Sequence, residues 1–304
     1  MVELAAHFAS ARELRAQKRF LATHALSDIR PPDAFERGYE DRGWLRLRDA
    51  LPEAVRSRPC DRVYLGSEFC PQLALPEREL GAGLALLRSR GFKATIVLAP
   101  VPQTRFASTR AMLQKFGRRG ALEVAANDWG TLAALDGWGH IPVLGRLLFR
   151  MKRLPRVSQE TRPVCSGPHC RIRLAAQMRE FSRFPTDAPW FADLLRGLKV
   201  RRMDTEMLPQ GVSLRRPAPV KLSLFLPWAQ VTGGGRCPVA GEDRRGGRCA
   251  FGCRQSYILP RYPGKTWPML QLGHTVFAWM AARLEVYLRQ GIYDRYILEP
   301  RLPM

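Results

Sequence analysis

The first half of the chain alternates short apolar runs with amphipathic segments of helical length. A run such as KATIVLAPV is typical of a buried strand, whereas ELGAGLALLRSRG shows helical spacing and ends at a glycine. The pattern predicts strands over 62–69, 93–101, 121–128 and 140–149, and helices over 79–91, 104–120 and 129–139. Helix-length spacers between apolar strands indicate βαβ units and a parallel sheet.

The second half continues the alternation less regularly. It predicts strands over 200–208, 220–228, 255–261, 267–273 and 293–300, and a strong amphipathic helix over 275–291. About eight such units favour an α/β fold of the irregular TIM-type (β/α) barrel kind, with a doubly wound sheet as the alternative.

Two segments fall outside this repeat. Residues 1–58 precede the first predicted strand and show helical periodicity, which predicts an N-terminal helical extension. Residues 150–198 lie between two predicted strands and are more numerous than a single connecting helix requires, which predicts a central insertion. The barrel domain is therefore predicted over 59–304, with the insertion inside it.

Composition limits the cellular setting. The 304 residues are 46% apolar, and no apolar run approaches the roughly 18 residues that a membrane span needs. The N-terminal stretch MVELAAHFASARELRAQKRF has no apolar segment of the secretory kind. We therefore expect a cytoplasmic protein without a membrane span.

The chain is strongly basic, with a formal net charge of +22. Such a charge could serve RNA or another anionic partner. It could equally result from a high-GC genome that uses arginine in place of lysine, because the basic residues are spread along the chain rather than gathered in one tail. Binding to RNA therefore stays one of two interpretations of the charge.

Three of the seven cysteines, Cys237, Cys249 and Cys253, lie close together in a glycine- and arginine-rich stretch. In a reducing compartment such a group favours metal binding over disulfides. Thiolates bind zinc or iron–sulfur clusters, but the spacing is unusual for structural zinc. Cys70 is the best fourth ligand, because it ends a predicted strand and so lies at the face where barrel active sites occur, whereas Cys60 lies at the other end of that strand. The alternative is that Cys70 is a buried apolar residue.

Cys165 and Cys170 flank His169 in the predicted insertion. They could form a second metal site or a redox pair, or be incidental residues of a surface segment.

The segments YLGSEFC, EVAANDWGTLAAL and RCPVAGEDRRGGRCAFGC together resemble the peptidase U32 (collagenase-like) family, and most closely its ubiquinone-biosynthesis branch. The resemblance implies an irregular TIM barrel with a four-iron four-sulfur (4Fe-4S) cluster on Cys70, Cys237, Cys249 and Cys253. It also implies oxygen-independent hydroxylation, a heterodimer with a paralogous protein, and prephenate or a quinone precursor as a reactant. Other members hydroxylate transfer or ribosomal RNA.

Three features depart from the resemblance or limit what it implies. The N-terminal segment, the insertion and the high positive charge do not match the ubiquinone-biosynthesis pattern. No Ser/His/Asp arrangement or HExxH motif supports proteolysis. The alternatives are an RNA-hydroxylating member of the family and a zinc-stabilised interaction protein.

Polar residues at predicted strand ends are the catalytic candidates, because barrel active sites lie at the carboxyl ends of the strands. They are Glu68, Asp128, Arg146, Glu206 and His274, with Asn127, Gln230 and Glu299 nearby. A carboxylate could transfer protons, and Arg146 could bind a substrate carboxylate. Each could instead be structural: Asp128 is well placed to cap the helix that begins at Trp129.

Overall fold

Parallel strands of the computed structural model close into a barrel in the order β1-β11-β7-β6-β5-β4-β3-β2. The structure describes residues 2–30, 47–149, 151, 176, 179–233, 237, 249 and 269–301. The barrel strands are β1 Glu3–Phe8, β2 Arg62–Leu65, β3 Lys93–Leu98, β4 Glu123–Ala126, β5 Ile141–Leu144, β6 Arg202–Glu206, β7 Lys221–Leu226 and β11 Arg295–Leu298. The TIM-type α/β barrel prediction is confirmed.

Helices and a second sheet complete the described fold. The helices are Ala11–Ala16, Lys18–Thr23, Glu53–Arg56, Glu77–Ser89, Gln103–Gly117, Trp129–Ala134, Pro189–Gly197 and Leu284–Arg289. Three antiparallel strands, β8 Trp228–Gly233, β9 Met269–Leu272 and β10 Thr275–Trp279, form a small sheet in the order β8-β10-β9. This small sheet interrupts the barrel between β7 and β11.

The barrel interior is built in layers, because alternate residues of each strand point inward. Apolar and aromatic side chains fill its middle: Ala5, Tyr64, Val97, Ala125, Val143, Phe225 and Ile297. The intervening strand residues face the helices and join the larger outer core, as Leu65 and Leu144 do. Charged and polar residues occupy both ends of the barrel, and Asp204 on β6 adds a buried carboxylate beside Tyr64 in its middle.

The N-terminal segment differs from the prediction of a helical extension over 1–58. Residues Glu3–Phe8 form β1, which pairs in parallel with β2 on one side and β11 on the other and thereby closes the barrel. The barrel domain thus begins at residue 3 rather than residue 59. The run ELAAHF is uncharged after its first residue and is buried from Leu4 onward, as a barrel strand requires.

Two further predictions need correction. The helix expected over 275–291 is the strand β10 followed by a short helix at Leu284–Arg289, because Thr275–Trp279 pairs with both β8 and β9. The end of the insertion expected over 150–198 is the helix Pro189–Gly197, which buries Phe191 and Leu195 in the outer core as an ordinary barrel helix does. The strand expected over 255–261 lies outside the described residues.

Among the described residues, no helix has the length and apolar character needed to cross a bilayer.

Candidate functional site

The small sheet packs over the C-terminal mouth of the barrel. Phe69, which follows β2, contacts Trp228, Leu270 and Phe277 of the small sheet in a buried apolar cluster. The backbone N–H of Gln230 on β8 donates to Glu206 at the end of β6 over 2.7 Å. These contacts hold the small sheet close to the loop after β2, and they shield the interior of this mouth from water.

Gly66 allows the chain to turn sharply as it leaves β2. Its φ is +134°, a conformation that side chains with a Cβ rarely adopt, and an added Cβ would lie 2.2 Å from the carbonyl oxygen of Val97. The turn directs residues 67–70 across the C-terminal mouth. Cys70 follows with its thiol half-buried, just before the 3-10 turn Pro71–Leu73.

Burial raises the pKa of the Cys70 thiol, backbone N–H groups of Gln72 and Leu73 lower it in part, and the thiolates of Cys249 and Cys237 raise it by a smaller amount. The contributions of Cys249 and Cys237 are smaller than those of burial and of the backbone, and among the described residues only His7, Glu68 and Glu299 bring three potential ligand atoms within 4.8 Å of one another. Cys70, Cys237 and Cys249 are all half-buried and none forms a disulfide. Cys237 lies four residues after the end of β8.

The remaining cysteines divide into two groups. Cys60 is fully buried at the opposite end of β2, where its thiol donates to the carbonyl oxygen of Arg62 over 3.2 Å, and burial raises its pKa to about 12. It is a core residue, and it lies at the end of β2 opposite Cys70, as the sequence predicts. Cys253, Cys165, His169 and Cys170 lie outside the described residues.

Beneath the Cys70 loop lies a buried ionic group formed by Arg146, Glu68, Glu299 and His7, which we call the Arg146 cluster. Arg146 follows β5 and reaches across the mouth, where Nε lies 2.9 Å from Glu68 Oε2 and Nη1 lies 3.1 Å from Glu299 Oε2. Nη1 also donates to the carbonyl oxygen of Trp228. The guanidinium lies 3.8 Å from the centroid of the Phe225 ring. Arg146 is fully buried, so its charge depends on these partners.

The hydrogen bonds of the Arg146 cluster favour a proton shared between His7 and Glu299. His7 Nε2 lies 2.8 Å from the carbonyl oxygen of Gly66, which can only accept, so this nitrogen carries a hydrogen. Nδ1 lies 3.3 Å from Glu299 Oε1. Burial alone would lower the pKa of His7, but Glu299 and Glu68 raise it; burial raises the pKa of Glu299. A proton shared between His7 and Glu299 leaves the cluster neutral.

The structure separates the five predicted catalytic candidates. Glu68 and Arg146 come together in the Arg146 cluster. Asp128 is a helix cap, because Oδ1 accepts from Thr131 N over 2.7 Å and Oδ2 accepts from Val101 N over 3.0 Å. Glu206 anchors β8, and His274 Nε2 lies 3.2 Å from the carbonyl oxygen of Phe69. Glu206 and His274 therefore fasten the small sheet to the mouth.

His7 is the site residue that the sequence analysis missed. It lies on β1, inside the segment predicted to be helical, and strand alternation places it on the same inward face as Ala5. The sequence feature that could have indicated a strand here was the run ELAAHF, in which only the first residue is acidic or basic at full charge. Asn127 is also structural, because its side chain bridges Leu98 O and Leu147 N.

The comparisons with known proteins do not assign the chain to a family. No family model matches it, and no curated protein matches it. Among solved structures, an immunomodulatory active chitinase from Trichuris suis has 8% sequence identity and a TM-score of 0.28, covering 98% of this chain and 91% of that one. A GH18 chitinase from Cycas revoluta, in complex with (GlcNAc)3, has 11% identity and a TM-score of 0.29, covering 97% and 94%.

Proposed function

We propose that this chain is an iron–sulfur protein that binds a 4Fe-4S cluster through Cys70, Cys237, Cys249 and Cys253, and that it acts in oxygen-independent hydroxylation. The residues that resemble the peptidase U32 family suggest this activity, in the form found in ubiquinone biosynthesis. Proteolysis is not proposed, since the sequence has no Ser/His/Asp arrangement or HExxH motif to support it.

Cys70, Cys237 and Cys249, which are all half-buried and form no disulfide, carry this proposal. Three half-buried thiols that form no disulfide, one following the barrel strand β2 and one following β8, are donors of the kind that an iron–sulfur cluster needs. Their mutual repulsion would favour a bound cation, because thiolates close together are stabilised by metal and not by one another. The residues present therefore fit the group.

A bound 4Fe-4S cluster would supply one-electron transfer at the C-terminal mouth. The residues of this chain would do the rest. The apolar contacts of Phe69, Trp228 and Phe277 would exclude water from the thiols, which helps to set a reduction potential. The Arg146 cluster would hold the Glu68 end of the Cys70 loop in place through the Arg146–Glu68 ion pair.

The resemblance extends the proposal to partners. A paralogous protein of the same family would form a heterodimer with this chain, and prephenate or a quinone precursor would bind at the shared site. The thiol ligands would be maintained in the reducing cytoplasm.

Single cysteine variants test the ligand assignment. Cys70→Ala, Cys237→Ala, Cys249→Ala and Cys253→Ala, each purified without oxygen, should lose iron and visible absorption. Cys60→Ala is the matched control and should keep both, because Cys60 lies at the other end of β2. A Cys70→Ala protein with its full iron content would contradict the assignment.

The hydroxylation step has its own test. The reduced holo-protein, together with the paralogous partner, prephenate and a quinone precursor, should add one oxygen atom to the precursor in the absence of oxygen, as measured by mass spectrometry. A protein that carries the cluster but leaves the precursor unchanged would retain the iron–sulfur assignment and contradict this substrate.

A further inference from the structure

The N-terminal mouth of the barrel, opposite the Cys70 loop, opens into a broad basin of 1660 Å³. The strands β1, β2, β3, β4, β5, β7 and β11 each contribute their first residue to its lining, and β6 contributes Arg202 and the preceding Arg201. The segment 214–222 before and within β7 forms one wall. The basin exceeds the roughly 300–1,000 Å³ typical of small-molecule pockets, so it suits an extended partner.

The floor of the basin is electrically balanced. Arg295 pairs with Glu3 at 2.6 Å and with Glu123 at 2.7 Å, and Arg62 lies 3.0 Å from Glu3. Arg202 pairs with Asp294. Three buried arginines therefore face three carboxylates, and the floor offers no excess charge to a partner.

The rim of the basin is cationic. Its exposed and half-buried basic residues are Arg58, Lys93, Arg201, Arg215, Arg216 and Lys221, and Asp61 is the only further carboxylate among the described residues of the lining. Lys93 lies 4.0 Å from Glu3 and Arg215 lies 3.7 Å from Glu180. Among the described residues, the other four have no carboxylate within ion-pair distance. The rim thus carries a local excess of positive charge on a concave surface.

We propose that this basin is a docking surface for a single-stranded nucleic acid, bound through its phosphates. Arginine guanidinium groups bind phosphate oxygens in a bidentate manner, and four of the six rim cations are arginines. The described residues of the lining include no aromatic side chain, so binding would rest on contacts to phosphates, which carry no sequence information. This surface lies at the far end of the barrel from Cys70 and does not depend on the proposed function.

The shape and composition of the basin favour this partner over two others. A lipid bilayer is flat and is usually contacted by exposed aromatic or apolar side chains, whereas this lining is concave and the exposed large apolar residues, Trp129, Trp190, Leu194 and Val286, lie elsewhere. An acidic polypeptide would need one carboxylate opposite each cation, whereas a nucleic acid strand brings a phosphate with every nucleotide.

Charge reversal at matched sites tests the proposal. Binding of a labelled oligouridine of about 16 nucleotides to the full chain is measured by anisotropy between about 50 and 200 mM salt. Arg201→Glu with Arg216→Glu should weaken binding at least about tenfold and reduce the salt slope by about 1.4, since each lost contact removes about 0.7. Arg78→Glu with Arg110→Glu, on exposed positions of two outer helices, changes the net charge equally and should weaken binding less than about threefold.

Three results would overturn the proposal. Equal loss in both double variants would show that only net charge matters. A polyglutamate of the same length, or vesicles of anionic lipid, binding as tightly as the oligouridine would show that the basin does not select a nucleic acid. No binding at about 50 mM salt would exclude the docking surface. Circular dichroism of both double variants checks their fold, and Arg201→Gln with Arg216→Gln provides a milder variant with a smaller loss expected.

Discussion

Asp204 is a buried carboxylate whose charge opposes folding at neutral pH. It lies on β6 inside the barrel, fully buried, with the Tyr64 hydroxyl donating to Oδ1 over 3.2 Å and with Oδ2 lacking a hydrogen-bond partner. Burial raises the pKa of Asp204 from 3.8 to about 7, although the positive charge of Arg295 lowers it in part. The folded state therefore holds a proton that the unfolded state releases near pH 4.

The sign of the pH dependence follows from this difference. A carboxyl group whose pKa is higher in the folded protein than in the unfolded chain stabilises the fold when the pH lies below its pKa in the unfolded chain. For Asp204 this contribution is lost as the pH rises from about 4 to about 7. The interval between 3.8 and about 7 corresponds to about 4 kcal/mol at 1.36 kcal/mol per pKa unit. Asp204→Asn removes the ionisation and keeps an oxygen for Tyr64, so it should stabilise the protein by about 2–4 kcal/mol above pH 7.

Urea unfolding followed by circular dichroism at a series of pH values measures this effect. The midpoints of Asp204→Asn and the parent should converge near pH 4 and separate above pH 7. Asp193→Asn, at an exposed position, should stay within about 0.5 kcal/mol of the parent throughout. Parallel profiles for parent and Asp204→Asn, or a less stable Asp204→Asn at pH 8, would refute the reasoning.

Three further predictions concern the ends of the barrel. Arg146→Met should destabilise by about 3–5 kcal/mol, because it leaves Glu68 and Glu299 buried without their countercharge; adding Glu68→Gln and Glu299→Gln should recover most of the loss in urea unfolding, and no recovery would contradict the pairing. Burial alone would raise the pKa of Glu123, but Arg295, Arg62 and Arg202 lower it to about 2. The stabilisation that ionised Glu123 gives the fold is therefore complete above pH 4.5 and lost as pH falls to about 2. When the free energy of unfolding is followed during acid titration, Glu123→Gln should lose less stability than the parent over this range. An equal loss in both proteins would contradict the lowered pKa. Gly66→Ala should lower the thermal midpoint by several degrees, since the new Cβ meets Val97 O; Gly137→Ala is the control with open space, and equal midpoints would contradict the close approach.

The barrel strands β2, β3 and β4 were predictable because each is a local apolar run followed by a segment of helical spacing, and β5 and β7 because each is a local apolar run. The strand β1 was not, because Glu, Leu and Ala favour helices in isolation, and its pairing with β11 joins residues at opposite ends of the chain. Such pairing is a tertiary effect that local propensity does not reveal.

The small sheet shows the same limit. The segment Thr275–Trp279 precedes AARLEVYLRQ, and the combined stretch has helical spacing, so a single helix was predicted. Its alternation of Val276 and Ala278 against Phe277 and Trp279 is also that of a strand, and only its two antiparallel neighbours decide between the two.

The candidate site was partly predictable for a physical reason. Polar residues after strands converge at one mouth of a parallel barrel, which brought Glu68 and Arg146 into the prediction. The sequence alone could not distinguish them from Asp128, whose hydrogen bonds to Thr131 and Val101 depend on the loop after β3.

Iron and acid-labile sulfide in the full chain, purified without oxygen, test the central claim most directly. About four irons and four sulfides per chain, with broad visible absorption that oxygen bleaches, is the result expected if Cys70, Cys237, Cys249 and Cys253 bind a 4Fe-4S cluster. Stoichiometric zinc without iron, or neither metal, would contradict it.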